Sequence, residues 1–333
     1  YEEMLATSEL EQDVFGATPR LARTVLAGSE RVFEQWQAFI NAAARSQTVH
    51  PRDLLLLTAT GLAARRPTEL RHLLNLSPVS AVLATTFDSD LSWPLRVQGT
   101  VSIALVQAAR QQGREDIEGA RARVAELSAL QENLERDWLE DGAGDDRAAL
   151  TLLSLYHAAQ AVVVLVTYLL NGEFRGARGQ VVQIQNELQV LLNKAHQYAE
   201  LASDPELMTW TRSVALVAGK LRSDSIWSNG LNITEKIDAL IRNMSARDGA
   251  IYSMLPSQQD ALDRNLLDPR QEAVVLQMPT SSGKTLMAEL AAVQTLSSYA
   301  DAKIIYLTPT RALATQVRRT LGSDLSDLDI LVT

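Results

Sequence analysis

An apolar run, a tight polar bend and an amphipathic helix pattern follow one another near the C-terminal end, and this succession constrains the chain more than any other feature. The run is Ala273-Val274-Val275-Leu276. The bend is Met278-Pro279-Thr280-Ser281-Ser282-Gly283-Lys284-Thr285, and helical spacing continues over roughly 284–298. A turn between a strand and a helix aims consecutive backbone amides at one point, and the helix N-terminus adds partial positive charge. Such a cradle suits a polyphosphate. Gly283 lets the backbone approach the oxygens closely. Lys284 is placed to reach the β- and γ-phosphates, and the Thr285 hydroxyl to ligate magnesium. The strict form of this loop has glycine where the chain has Met278. The assignment therefore rests on the strand before and the helix after.

Two neighbouring segments extend the pattern. Leu255-Pro256-Ser257-Gln258 places a glutamine 26 residues before Lys284. A glutamine amide offers both a donor and an acceptor, which reading the edge of adenine requires. Taken alone, a surface glutamine at a helix start is the commoner interpretation. The second segment is Thr308-Pro309-Thr310-Arg311-Ala312-Leu313-Ala314, after the apolar run Ile304-Ile305-Tyr306-Leu307. Hydroxyls, an arginine and a helix start at a strand end can hold a nucleic-acid phosphate; an ordinary strand-to-helix turn is the alternative. Strands at 273–276, 304–307 and 329–332, with helices over 284–298 and 311–321, predict a parallel sheet with crossovers.

In this order the three segments resemble the superfamily 2 helicases of the DEAD/DEAH-box type. Leu255 to Gln258 looks like their Q motif, Pro279 to Thr285 like motif I, and Pro309 to Ala314 like motif Ia. The run Met278 to Leu290 is most similar to the superkiller-like branch, where methionine or alanine commonly stands at the position of Met278. The resemblance implies the beginning of a first RecA-like motor domain. ATP with Mg2+ would bind at Leu255, Gln258, Thr280, Ser281, Ser282, Gly283, Lys284 and Thr285, with Lys284 and Thr285 the catalytic pair and Thr285 the metal ligand. Pro309, Thr310, Arg311 and Ala312 would hold one nucleic-acid strand, DNA ahead of RNA. Hydrolysis would drive movement, with positioning and electrostatic stabilisation supplying the catalysis.

The rest of the chain has another texture. Residues 1–248 read as helix after helix, an all-α accessory or interaction domain, with the partial α/β motor domain over 249–333. Ser8 with Glu11 forms a capping-box pair, and so does Ser203 with Glu206 around Pro205. Pro19 and Pro51 sit at first helical turns. Apolar positions recur at Ile117, Val124, Leu127, Leu134 and Trp138, and at Val181, Ile184, Leu188, Leu191, Ala195 and Tyr198, marking amphipathic faces. The polar, glycine-containing stretch 141–146 reads as a loop. Ala148 to Gly172 has no charged residue and is long enough to span a bilayer. Its scattered polar residues make it a central buried helix instead, and no membrane partner is expected.

Composition narrows the partners. The net charge is −9, most of it in the first 250 residues, so no global basic patch draws in nucleic acid. The acidic helical region reads as a site for protein contacts or autoinhibition ahead of nucleic-acid binding. The chain has no cysteine, which removes thiolate metal sites and fits a reducing cytoplasm. His50, His72, His157 and His196 show no ligand spacing.

One departure bears on activity. No Asp-Glu-x-His/Asp box, the family's acidic magnesium partner and water-orienting group, occurs in the chain. Both ends are expected to be cuts in a longer protein, and the fragment alone is expected not to turn ATP over. The alternatives are a nucleotide-gated scaffold, or the motor subunit of a restriction, remodelling or phage-defence complex whose helical domain docks a partner.

Overall fold

A computed structural model describes residues 19–46, 49–84, 91–140, 146–176, 178–228, 234–247, 249–268, 270–271, 273–279, 282–299, 301–328 and 330–332. The Ser8–Glu11 pair, residues 141–145, Thr280, Ser281 and the two chain ends lie outside this set. So do the side chains of Leu134 and Trp138. The described residues fall into two compact units, Tyr1–Arg222 and Ser223–Thr333.

The first unit is helical: α1 (Pro19–Ser46), α2 (Pro51–Ala63), α3 (Pro67–Leu74), α4 (Ser77–Ala84), α5 (Trp93–Arg110), α6 (Arg114–Glu140), α7 (Asp146–Asn171), α8 (Ile184–Leu201) and α9 (Pro205–Ser223). Proline stands in the first turn of α2, α3 and α5, where its missing N–H costs nothing. Helix α7 is long and apolar enough to cross a membrane. Here it packs on α5, α6 and α8 and buries Leu155, Ala158, Val162, Leu165, Val166 and Leu169. Ser154 Oγ donates to the Ala195 carbonyl at 2.7 Å, pinning α7 to α8. Trp210 Nε1 donates to Ser102 Oγ at 3.0 Å, pinning α9 to α5. Gly61 lets α2 approach α1, since an added Cβ would lie 2.8 Å from the Phe33 ring.

Two local expectations are corrected in this unit. Val181 is not on a helix face. It belongs to an antiparallel hairpin of β1 (Phe174–Arg175) and β2 (Val181–Val182), and the helix begins at Ile184. Glycine explains the reversal, because Gly179 turns at φ 78°. Helix α9 is capped by Asp204 rather than Ser203. Asp204 Oδ1 accepts from the Glu206 and Leu207 amides at 3.0 and 3.1 Å, whereas Ser203 takes a left-handed conformation.

The second unit holds α10 (Glu235–Ala246), α11 (Pro256–Asp263), α12 (Lys284–Ser298), α13 (Arg311–Asp324) and a 3-10 turn (Ser326–Leu328). Its core joins Ile237, Leu240, Ile241 and Met244 of α10 to Leu286, Met287, Leu290 and Val293 of α12. The change of sequence texture lies near residue 248, whereas the compact units divide at Arg222/Ser223, so α10 packs with the second unit.

The expected parallel sheet is not formed among the described residues. The segments at 273–276, 304–307 and 330–332 are joined by no ladder. Leu276, Ile330 and Val332 lie against the helical core, while their neighbours Val275 and Leu331 are bare at 94% and 87% exposure. All four residues of 304–307 are exposed, Ile305 and Leu307 most of all. Parallel strands joined by crossovers need not be neighbours in space, and each needs flanking strands to pair its N–H and C=O groups and to cover its second face. The apolar runs specify extended backbone; pairing requires partners that these three do not provide for one another.

Candidate nucleotide site

Helix α12 begins where the polar bend ends. Gly283 is its N-cap, at φ 72° and ψ 37°, a conformation that penalises any Cβ. Space imposes the same restriction, since a Cβ there would stand 2.1 Å from Gln258 Nε2. Ser282 is buried and its Oγ donates to the Pro279 carbonyl at 2.6 Å, closing the bend. Lys284 and Thr285 occupy the first turn, both exposed, and no acidic residue shares that turn. Exposed first-turn amides, a lysine and a hydroxyl, with no carboxylate to repel an anion, fit a polyphosphate with its magnesium. Thr280 and Ser281 lie outside the described residues.

Gln258 is the partner of this bend. Its side chain is buried at 3% exposure, not at the surface. Oε1 accepts from the Leu255 amide at 2.7 Å, half of a capping box at the start of α11, and Nε2 donates to the Gly283 carbonyl at 3.2 Å. Two segments 25 residues apart thus meet through one amide group, whose donor and acceptor are both engaged. The turn before Gln258 is held from upstream: the Met254 amide donates to the Asp224 carbonyl at 2.8 Å, and Gln259 Nε2 donates to Asp224 Oδ1 at 3.1 Å.

The second site segment forms the start of α13. Thr310 is its N-cap, and its Oγ1 accepts from the Leu313 amide at 3.2 Å. Thr308 Oγ1 donates to the Thr310 carbonyl at 3.1 Å. Pro309, Arg311 and Ala312 are exposed, as are Arg318 and Arg319 further along the helix. Among the described residues, no hydrogen bond or ion pair joins the Pro309–Ala312 turn to the bend at Gly283.

Sequence reasoning passed over a buried charged group in this unit. Glu289, on the apolar face of α12, is 2% exposed, and its Oε1 has no hydrogen-bond partner. Burial first, and the Asp324 carboxylate second, push its carboxyl up to about 7, while Arg247 pulls the other way. The signal was present: it is the lone acid in 284–298, set among Leu286, Met287, Leu290 and Val293. Asp224 had no such signal, because its role depends on which backbone comes to lie beside it.

Residues 255–333 match the family model described as DEAD/DEAH box helicase. Three curated relatives are similar to parts of the chain. Hachiman protein HamB of Bacillus cereus is 30% identical over 128 residues, 38% of this chain and 11% of the relative. ATP-dependent DNA helicase Hel308 of Pyrococcus abyssi (strain GE5 / Orsay) is 36% identical over 84 residues, 25% of this chain and 11% of the relative. DExH-box ATP-dependent RNA helicase DExH15 chloroplastic of Arabidopsis thaliana is 34% identical over 99 residues, 27% of this chain and 8% of the relative. The chain spans about a tenth of the length of these relatives. The similarity to HamB covers more of the chain than residues 255–333 supply, so it takes in residues ahead of Leu255.

Proposed function

From the match of residues 255–333 to the DEAD/DEAH box helicase family, we propose that the chain is the N-terminal portion of a superfamily 2 ATP-dependent helicase or translocase of the superkiller-like branch. Residues 249–333 begin a RecA-like motor domain, and residues 1–248 form the helical accessory region, whose last helix α10 packs with the motor segment. The apolar segments at 273–276 and 330–332, which set Leu276, Ile330 and Val332 against the helical core and leave Val275 and Leu331 bare, support the RecA-like assignment. The observation that carries the proposal is the bond between Gln258 and Gly283, which brings the base-reading candidate onto the phosphate-binding bend.

In this reading the α12 amides and Lys284 take the phosphates, the Thr285 hydroxyl shares the magnesium, and Gln258 releases Gly283 to read the adenine edge. When bound, ATP with magnesium supplies the phosphoanhydride whose hydrolysis drives stepping. Arg311 and the first amides of α13 hold the strand backbone. Hel308 is named a DNA helicase and DExH15 an RNA helicase; this reading takes DNA ahead of RNA as the track. The protein acts in the cytoplasm, which a cysteine-free chain fits.

No acidic box occurs in residues 1–333, so this chain holds magnesium ATP without steady turnover. The test compares phosphate release by residues 1–333 and by a longer polypeptide that contains such a box, each with single-stranded DNA or RNA. Stimulated turnover in the longer polypeptide alone supports the proposal. Turnover by residues 1–333 that Lys284→Ala abolishes contradicts the division of labour.

A second form of this reading makes the chain a motor subunit of a restriction, remodelling or phage-defence complex, with the acidic helical unit docking a protein partner. The similarity to HamB that extends ahead of Leu255 favours it. Co-purification of a defined partner that depends on residues 19–223 supports this form, and a solitary, fully active motor counts against it.

A further inference from the structure

Three helices of the second unit bring charged groups to one buried point. Asp324 is the last residue of α13 and is 1% exposed. A carboxylate there is penalised twice, by burial and by the negative end of the helix dipole. It persists because α10 answers it. The Arg247 guanidinium, at the C-cap of α10, bonds both Asp324 carboxylate oxygens, and Asn243 Nδ2 donates to the Asp324 carbonyl at 3.2 Å. From α12 comes Glu289, buried, with Oε1 unpartnered. The guanidinium bonds Asp324, and the second buried carboxyl group of this unit is left without that answer.

The placement matters because of where these helices begin. Helix α12 starts at Lys284, against the phosphate-binding bend, and α13 starts at Arg311, in the strand-gripping turn. Arg247 precedes residues 255–333 and so lies outside the matched helicase segment. We propose that Arg247 is a positioning residue: by bonding Asp324 it ties the strand-gripping helix to α10, which packs on the phosphate-binding helix, so that nucleotide and nucleic acid alter each other's affinity. This rests on the helicase reading above. Any displacement of α13 relative to the packed pair α10 and α12 must break or remake the Arg247–Asp324 bond, which gives the two sites a shared two-state element.

The test uses residues 1–333 and titrates magnesium ATP by calorimetry, alone and with saturating oligodeoxythymidylate or oligouridylate. In the wild type each ligand shifts the affinity of the other by roughly fivefold or more. Arg247→Gln removes that coupling while leaving each affinity, measured alone, within about twofold. Arg247→Lys retains most of it. Arg247→Gln alone leaves a buried carboxylate uncompensated and threatens folding, so the double variant Arg247→Gln/Asp324→Asn is measured beside it. That variant folds and lacks coupling. Coupling that persists in the double variant overturns the inference. So does a parallel fall of coupling, both separate affinities and the melting temperature, which marks Arg247 as merely structural. Wild-type protein that binds both ligands independently overturns the inference and leaves the helicase reading intact. Wild-type protein that binds no magnesium ATP takes both down.

Discussion

Gln258 Nε2 lies 3.2 Å from the Gly283 carbonyl oxygen, and its Oε1 lies 2.7 Å from the Leu255 amide. The glutamine that would read a base therefore also braces the bend proposed to bind phosphates. The two tasks compete for one amide group, because a glutamine has a single side-chain carbonyl and a single NH2.

Replacing Gln258 by alanine is expected to act twice. The two lost bonds leave the Leu255 amide to find a new partner and the Gly283 carbonyl with only the long bond from the Met287 amide, at 3.5 Å, at a cost of about 1–3 kcal/mol in stability. Discrimination between ATP and the pyrimidine triphosphates also falls, since no group remains to read the base. Urea denaturation and nucleotide competition measure these separately. Unchanged selectivity with reduced stability would reduce Gln258 to a brace.

At the start of α13, structural and binding roles sit on adjacent residues. Thr310→Ala removes the N-cap bond to Leu313 and is expected to cost about 1 kcal/mol of stability. Arg311→Ala, at an exposed position, leaves stability nearly unchanged. It weakens oligonucleotide binding evenly across sequences and lowers the salt slope by about one counterion. Fluorescence anisotropy at several salt concentrations reads this, and an unaltered slope removes Arg311 from the interface.

Glu289 makes stability depend on pH. Its carboxyl titrates near 4.5 in an unfolded chain and at about 7 when folded. A raised carboxyl contributes stability that is complete below the unfolded value and is lost as pH rises through the folded one. Between about pH 4.5 and 7 this group alone removes on the order of 3 kcal/mol. Glu289→Gln keeps the shape without the charge. The variant should lack that part of the slope and be more stable than wild type above pH 7. Denaturation midpoints of the two proteins across this range decide it, and parallel curves rule it out.

What the sequence made legible follows from how local each signal is. The helix starts at Lys284 and Arg311 were readable because glycine, threonine and proline impose short-range conformational limits. The buried face of α7 was readable from an uninterrupted apolar run. Strand pairing at 273–276 and 304–307 was not, since a period-2 or apolar pattern names an extended segment without naming its neighbour. Val181 stands at helical spacing from Ile184 and Leu188, yet the hairpin that turns through Gly179 holds it in β2, a pairing that helical spacing does not register. At the candidate site, the residue types around Gly283 were visible as chemistry. The contacts of Asp224 with Met254 and Gln259, and of Arg247 with Asp324, join residues tens of positions apart and leave no periodic trace.

The most direct measurement is the affinity of residues 1–333 for magnesium ATP, compared between wild type and Lys284→Ala by calorimetry. A lysine that meets the phosphates contributes about 1.5–3 kcal/mol, so the variant should bind roughly ten- to a hundredfold more weakly with its melting temperature preserved. Equal affinity in the two proteins, or a wild type that binds no nucleotide, would mean that the bend before Lys284 does not hold a triphosphate.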